Sequence, residues 1–354
     1  MCQFKSFTGL AVLAAAALLN GCASPRSDGA RYCQNGESVV LAGETPANLA
    51  FAPSLSKPVV VRSTYRAALP QTIQYEAGRD YLLDASGQIK RTSGSRIPDF
   101  GTNILYGKED FRHDQFPGYG NGRFIVYVDY AHRERWDSPP TKAELGAVRL
   151  PHTRKKLRAG EKVRIVAYGD SITAGGEATE PGLIFWERLA NALREKYQRA
   201  CIETTNGATG GDTSAQGLQR LQEKVLPQNP DLVLIGFGMN DHNREGFGVP
   251  LDAFTGNLRT MIVRIRASPG AEIILFSAFP PNPKWHYGSH SMEAYADATE
   301  RVAREEHCAF ADVYHLWMSV AGRKKPEDLL GNNINHPNDF GHWIYFQALA
   351  AIGL

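Results

Sequence analysis

Ser171 is the side chain whose sequence context best suits a nucleophile. It follows a buried apolar run, Ile165–Tyr168, in the sequence Gly-Asp-Ser that begins at Gly169. Ligands of open parallel sheets bind at the carboxyl ends of the strands, so we expect this serine at an edge that a substrate can reach. A serine becomes a nucleophile only if a base removes its proton. Without such a base, Ser171 is an ordinary polar turn residue.

Three other loops carry the remaining residue types that a serine needs to hydrolyse an ester. The requirements are a base within hydrogen-bond reach and donors for the oxyanion. His336 can act as the base, Gly211 can present a backbone N–H without a side chain in the way, and Asn240 can present a side-chain N–H. The backbone N–H of Ser171 completes the predicted oxyanion hole. Each such donor is typically worth about 3–4 kcal/mol of transition-state stabilisation.

Alternating strands and helices from residue 162 onward are predicted to bring these loops together. The helix predicted near 183–197, for example, has apolar residues at helical spacing. Strict alternation indicates a parallel sheet covered by helices on both faces, a three-layer α/β/α fold. The carboxyl ends of its strands then open into one cleft. The five predicted strands are 163–168, 201–205, 231–238, 271–276 and 309–313.

The order Gly-Asp-Ser, glycine, Gly-x-Asn-Asp and His resembles the SGNH, or GDSL, hydrolase superfamily over about residues 163–354. The resemblance implies a flavodoxin-like five-stranded domain and a serine esterase. It assigns the family's four named residues to Ser171, Gly211, Asn240 and His336. No Cys-x-x-Cys occurs, so we predict neither a metal nor a cofactor.

One position departs from the family pattern. The family usually has an aspartate three residues before the histidine, where it orients the imidazole, and this chain has Asn333 there. An amide oxygen can accept a hydrogen bond from the ring N–H but carries no charge. We therefore expect a Ser–His dyad in which Asn333 or a backbone carbonyl orients His336. Asp339, Glu327 and Asp328 are the alternatives.

Short strands with glycine- and proline-rich turns predict a smaller all-β sandwich domain before the α/β/α domain. Its clearest strand is 123–130. The domain either only packs or binds substrate through aromatic residues such as Tyr119 or Trp136. Trp285, His286 and Tyr287, in a loop after the fourth strand of the parallel sheet, likewise contact substrate or only pack.

The N-terminus has the pattern of a signal peptide. One positive residue, Lys5, precedes the apolar run Leu10–Leu19, which is too short to span a bilayer as a helix. The run ends in Leu-Asn-Gly-Cys, which resembles a bacterial lipobox and predicts lipidation of Cys22. The alternative is an ordinary secretory signal with a chance cysteine. Ala23, rather than aspartate, after that cysteine usually implies sorting to the outer membrane. We therefore expect an exported lipoprotein, in the periplasm or at the cell surface.

The predicted organisation and the charge limit the partners. Lys and Arg total 39 against 37 for Asp and Glu, a net charge of +2, which gives no electrostatic case for nucleic acid or for an anionic membrane surface. We therefore expect the protein to associate with a membrane only through its lipid anchor. We divide the chain into a signal peptide (1–21), a tether (22–36), the all-β sandwich domain (37–135), a linker (136–161) and the hydrolase domain (162–354).

The loops expected at the cleft favour a small acyl group. Residues 174–181 and 242–246 are polar or small, whereas long acyl chains need an apolar channel. The block Asn-His-Pro-Asn-Asp-Phe-Gly-His and the N-terminal β domain resemble bacterial polysaccharide acetylesterases, which implies deacetylation of O-acetylated carbohydrate. The alternatives are a lipase or thioesterase, an O-acetyltransferase, and a non-catalytic carbohydrate-binding lipoprotein.

Overall fold

The structure of the protein is a computed structural model that describes residues 32–136, 143–244 and 248–354. The predicted signal peptide (1–21) and the predicted lipidation site, Cys22, lie outside the described residues. Within the described ranges, no helix has the length and apolar character needed to cross a membrane.

The N-terminal part consists of antiparallel strands, as predicted. A four-stranded sheet has the order β1-β7-β3-β4, and a three-stranded sheet has the order β2-β6-β5. The longest strands alternate in the side they bury, so that Val126 and Val128 enter one apolar cluster while Ile125 and Tyr127 enter another. The strands are β1 (Tyr32–Val40), β2 (Ala47–Asn48), β3 (Val60–Arg62), β4 (Gln74–Tyr75), β5 (Tyr81–Leu83), β6 (Gln88–Arg91) and β7 (Ile125–His132).

Two segments predicted as connections have regular structure. β1 begins at Tyr32, inside the predicted tether 22–36, because its first residues pair with the end of β7. The predicted linker 136–161 contains a helix, α1 (Pro151–Ala159), which buries Leu157. The sequence did not reveal this helix because its exposed face is a run of basic residues.

The C-terminal part confirms the predicted α/β/α fold. Its five parallel strands have the order β12-β11-β10-β8-β9, which is the flavodoxin-like order when they are counted along the chain. The strands are β8 (Lys162–Gly169), β9 (Cys201–Asn206), β10 (Leu232–Gly236), β11 (Glu272–Phe276) and β12 (Ala309–Ala311). The helices are α2 (Ser171–Ala174), α3 (Phe185–Lys196), α4 (Ser214–Lys224), α5 (Leu251–Arg266), α6 (Met292–Glu305), α7 (Val313–Ala321), α8 (Pro326–Leu329) and α9 (Asp339–Ala350).

Helices cover both faces of this sheet, which explains why its central strands are apolar throughout. In β10, Leu232 and Leu234 enter one core cluster, whereas Val233 and Ile235 enter the cluster on the opposite face. The strand order reverses between β8 and β10. A ligand crevice is therefore expected outside the carboxyl ends of these two strands.

The two parts of the protein share a hydrophobic core. The cluster that contains Val39 and Val126 of the N-terminal sheet also contains Phe340 and Ile344 of α9, a helix buried almost all round. Trp136, which we considered as an exposed substrate contact, is only 7% exposed. Its indole N–H donates to the side chain of Gln34, so it serves packing.

A buried ion pair also joins the two parts. Lys324 Nζ lies 2.8 Å from Glu37 Oε1 in β1, and both side chains are fully buried. Glu37 accepts further hydrogen bonds from Ala50 N–H and from the hydroxyl of Tyr130. Asp328 lies 3.7 Å from the same amine. Removing one partner of such a pair leaves a buried charge poorly compensated.

We therefore expect Glu37→Ala to lower the free energy of unfolding by about 3–5 kcal/mol, measured by urea denaturation. The matched control is Glu134→Ala, which breaks a pair with Arg323 in which both side chains are substantially exposed. That pair should be worth less than about 1 kcal/mol. An equal decrease in the free energy of unfolding in the two variants would show that the buried pair does not hold the two parts together.

Candidate active site

Ser171 is the first residue of the short helix α2, directly beyond β8. The side chain of Asp170 caps this helix by accepting a hydrogen bond of 2.9 Å from Ile172 N–H. The turn requires a glycine at 169, because a Cβ there would lie 2.3 Å from the carbonyl oxygen of Gly236 and 2.4 Å from Thr173 Oγ1. These contacts fix the serine at the strand end, where it is partly exposed.

His336 reaches Ser171 from the loop between α8 and α9. Its Nε2 lies 2.8 Å from Ser171 Oγ, within hydrogen-bond reach. The loop is shaped by Asn332, whose Oδ1 accepts the backbone N–H groups of three residues, Ile334, Asn335 and His336, at 2.9–3.0 Å. Asn332 was not among the predicted site residues, although a short polar side chain just before a turn is typical of this motif.

Gly211 and Asn240 lie on the two loops that follow β9 and β10. Gly211 has a φ of +81°, which favours glycine, and a Cβ there would have no heavy atom within 4 Å. Asn240 Nδ2 donates one hydrogen bond of 2.9 Å to the carbonyl oxygen of Asp212. Because a carboxamide nitrogen carries two hydrogens, the second remains available to another acceptor. Asp241 joins the loops by accepting from the N–H groups of Ser214 and Gly238.

A cavity of about 390 Å³ opens beside Gly211 and Asn240. Its other wall comes from the loop after β11, which contributes Trp285 and Tyr287, and from an N-terminal loop that contributes His113. The two loops are bound together, because Trp285 Nε1 donates to His113 Nδ1 at 3.0 Å. The remaining lining residues are Asp114, Thr213, Gln216 and Asn243.

The N-terminal contribution to this cavity was not predicted from the sequence, which named only Tyr119 and Trp136 as aromatic residues that could bind substrate. Phe111 N–H donates to the carbonyl oxygen of Lys284, and His286 N–H donates to that of Phe111. Leu105, Phe111, Trp285 and Ile334 form an apolar cluster beneath the cavity, with Tyr119 packed against it. Of the residues predicted either to bind substrate or to pack, Trp285 and Tyr287 therefore line the cavity, and Tyr119 packs at its base.

Asn333, one of the two groups that we expected to orient His336, is bound by Asn282 instead. Its backbone has a φ of +61°, and its side chain is buried. Asn282 Nδ2 donates to its carbonyl oxygen at 2.9 Å and to its Oδ1 at 3.3 Å. The amide oxygen of Asn333 is therefore engaged by Asn282.

The alternative acids are also engaged elsewhere. Asp339 accepts from Thr179, and Asp328 accepts from Val40 N–H. Among the residues that the structure describes, no hydrogen bond or ion pair joins Asn333, Glu327, Asp328 or Asp339 to the His336 ring. In the same residues, no group of three or more His, Cys, Asp or Glu side chains is arranged to hold a metal ion.

Two ionisable groups are buried beneath the Ser–His pair. Burial raises the pKa of Asp170 from its ordinary value of 3.8 to about 7, although the hydrogen bond from Ile172 N–H and the nearby His336 oppose the rise. Burial lowers the pKa of His342 from 6.5 to about 3. His342 stacks on Phe185 with the ring centres 5.9 Å apart, so its role is packing.

Known proteins share the sequence pattern. The model of the GDSL-like lipase/acylhydrolase family matches residues 167–344. An arylesterase of Vibrio mimicus is 33% identical over 191 residues, covering 53% of this chain and 86% of that protein. An acetylxylan esterase of Geobacillus stearothermophilus is 25% identical over 209 residues, covering 54% and 94% of the two chains.

A solved two-domain esterase active on acetylated mannans matches with a TM-score of 0.47 and 24% identity. That match covers 58% of this chain and 54% of the solved one, so the matched part of this chain spans about half the length of that neighbour.

The chain thus belongs to the GDSL-like lipase/acylhydrolase family, as its sequence motifs indicated. The protein is a carboxylic ester hydrolase.

The buried Asp170 should make stability depend on pH. The folded protein holds this proton up to about pH 7, whereas the unfolded chain releases it near 3.8, so stability falls as the pH rises between these values. His342 acts in the opposite direction between about 3 and 6.5. We therefore compare Asp170→Asn with the native protein. As the pH rises through that range, the free energy of unfolding of the variant should increase by up to about 1.4 kcal/mol per pH unit relative to that of the native protein.

Urea denaturation at a series of pH values measures this difference. Asp252→Asn, at an exposed position in α5, is the control and should follow the native curve. Parallel curves for the native protein and Asp170→Asn would mean that Asp170 is ionised in the folded state across the whole range.

Proposed function

We propose that this esterase hydrolyses short acyl esters, chiefly acetyl esters, of O-acylated carbohydrate. In this proposal Ser171 is the nucleophile and His336 the general base, and Gly211 and Asn240 form the oxyanion hole with the Ser171 backbone N–H. The observation that carries the proposal is the 2.8 Å contact between Ser171 Oγ and His336 Nε2, beside a cavity lined by Gly211 and Asn240.

The chemistry follows from this arrangement. Ser171 Oγ attacks the acyl carbon while His336 Nε2 takes the hydroxyl proton, and the carbonyl oxygen becomes an oxyanion that the N–H donors stabilise. His336 then returns the proton to the sugar oxygen, which leaves as an alcohol. A water molecule attacks the acyl-enzyme in the same way, His336 again moving the proton, and the released acid restores the serine.

The cavity lining supports a small acyl group on a sugar. Thr213, Gln216 and Asn243 offer polar contacts, and Trp285 and Tyr287 offer aromatic ones. Such a surface suits a sugar ring, which has hydroxyl groups at its edge and C–H groups on its faces. The similarity to an acetylxylan esterase also favours acetylated plant polysaccharide.

The N-terminal sequence supports a location for this activity. A short apolar run followed by Cys22 favours an exported lipoprotein held in the outer membrane by its lipid. An anchor of this kind would keep the esterase where extracellular or periplasmic polysaccharide fragments are available.

Ser171→Ala is expected to lower ester turnover by more than about 10³-fold, with the exposed-site variant Ser289→Ala as an unaffected control. The substrates are p-nitrophenyl acetate, butyrate and octanoate, together with acetate release from acetylated xylan and glucomannan. We expect the activity to depend on Ser171 and to favour acetate.

Each alternative predicts a different result in the same experiment. A preference for octanoate would indicate a lipase or thioesterase, and acetyl transfer to a sugar acceptor would indicate an O-acetyltransferase. Carbohydrate binding without turnover on any ester would indicate a binding protein.

Tyr287→Ala should separate sugar binding from ester chemistry. Tyr287 is partly exposed at the cavity and packs edge-on against Trp285, with the ring centres 5.8 Å apart. Loss of one aromatic contact, worth about 0.5–1.5 kcal/mol, should raise KM for acetylated xylo-oligosaccharides by about two- to tenfold. Turnover of p-nitrophenyl acetate should stay within about twofold.

Tyr106→Ala is the control for this variant, because Tyr106 is exposed and does not line the cavity. Equal effects of Tyr287→Ala on the two substrates would assign Tyr287 to the structure of the site and not to sugar binding.

A further inference from the structure

Glu177 is the carboxylate that comes nearest to the His336 ring among the described residues. Its Oε1 lies 3.8 Å from His336 Nδ1, the ring nitrogen opposite the one that faces Ser171. The sequence pattern did not suggest this residue. It lies in the loop that follows the nucleophile and not in the segment before the histidine.

We propose that Glu177 is the positioning residue for His336. Its carboxylate takes the role that the family pattern gives to an aspartate at position 333. This inference rests on the proposed function, in which His336 is the base for Ser171. The separation of 3.8 Å exceeds a hydrogen bond, and a modest rotation of the partly exposed Glu177 side chain closes it.

The loop at Gly331 is shaped to receive Glu177. A Cβ at position 331 would lie 2.2 Å from Glu177 Cβ and 2.7 Å from its Cγ, so the glutamate passes directly over the backbone there. Gly331 N–H also donates to the carbonyl oxygen of His336 at 2.9 Å. This turn of the chain therefore lies against the Glu177 side chain and is hydrogen-bonded to the backbone of His336.

The loop that carries Glu177 is held on both sides of it. Gly176 N–H donates to the carbonyl oxygen of Ser171 at 2.9 Å, and a Cβ at 176 would lie 3.5 Å from His336 Cβ. On the other side, the backbone N–H and the hydroxyl of Thr179 both donate to the buried carboxylate of Asp339. The main chain at Glu177 thus has little freedom to leave the histidine.

No competing cation holds Glu177 away from His336. In the part of the chain that the structure describes, no Lys or Arg lies within ion-pair distance of its carboxylate. Tyr119 is close enough to be affected by this carboxylate, since burial together with the charge of Glu177 raises the pKa of the Tyr119 phenol. By contrast, Glu180 in the same loop pairs with Arg66 at 2.8 Å.

The chemistry gives this carboxylate two tasks. As an acceptor for Nδ1–H, it holds the neutral ring in the tautomer whose Nε2 can accept the serine proton. As an anion, it stabilises the imidazolium that forms when Nε2 is protonated. A bound sugar that covers the exposed side of Glu177 would strengthen both interactions by excluding water.

The test is Glu177→Gln in the full-length protein, with Glu180→Gln as the matched control from the same loop. We expect kcat for p-nitrophenyl acetate to fall by about 10- to 100-fold. This is less than the roughly 10⁴-fold effect of a buried triad aspartate in serine proteases. KM should stay within about twofold, and Glu180→Gln should behave as the native protein.

Two readouts that need no turnover separate positioning from folding. The rate at which a serine-directed phosphonate labels Ser171 should fall by a factor similar to that for kcat, while the thermal unfolding midpoint stays unchanged. In proton NMR, the downfield Nδ1–H signal that disappears in His336→Ala should move upfield in Glu177→Gln.

The outcomes separate the positioning role of Glu177 from the proposed esterase function. A Glu177→Gln protein with kcat, labelling rate and Nδ1–H signal unchanged would overturn the positioning role. Glu177-dependent labelling in a protein that hydrolyses no ester would overturn the proposed function and leave the positioning role standing.

Discussion

The position of His336 depends on hydrogen bonds that join its loop and the preceding helix, α8, to the N-terminal part of the protein. The carboxylate of Asp328 accepts from Val40 N–H at 2.9 Å, and Asn121 N–H donates to the carbonyl oxygen of Gly331 at 2.6 Å. These bonds are buried, so water cannot replace them at low cost. The N-terminal sheet therefore supports the loop that carries His336, and the two parts form one structural unit.

The parallel sheet supplies the other half of the site. Because the strand order reverses between β8 and β10, the loops that bear Ser171 and Asn240 leave neighbouring strands at the same edge. Asp241 ties the loops after β9 and β10 together through backbone N–H groups. The cleft thus has one wall from the loops of the parallel sheet and one that is partly N-terminal.

The sequence predictions differ in how far they follow from local patterns. Ser171, Gly211 and Asn240 were predicted at one edge of the sheet because each follows a predicted strand, and His336 was predicted just before the last helix. Asn333 was assigned by its spacing from the histidine, and that spacing takes no account of its positive φ or of its capture by Asn282. A fixed spacing between two residues in the sequence predicts a contact between their side chains only when the backbone between them is regular.

The sequence by itself determined the α/β/α fold, the five strands and the loops that face one edge. Each strand and helix buries side chains at a regular spacing, and the spacing of its apolar residues shows this. Only the tertiary structure decided which acid faces His336, since Glu177 and Gly331 are distant in the chain and meet through packing. It likewise decided that His113 and Asp114 from the N-terminal part line the cavity with Trp285. Contacts between distant segments depend on the shape of the shared core, which no local pattern encodes.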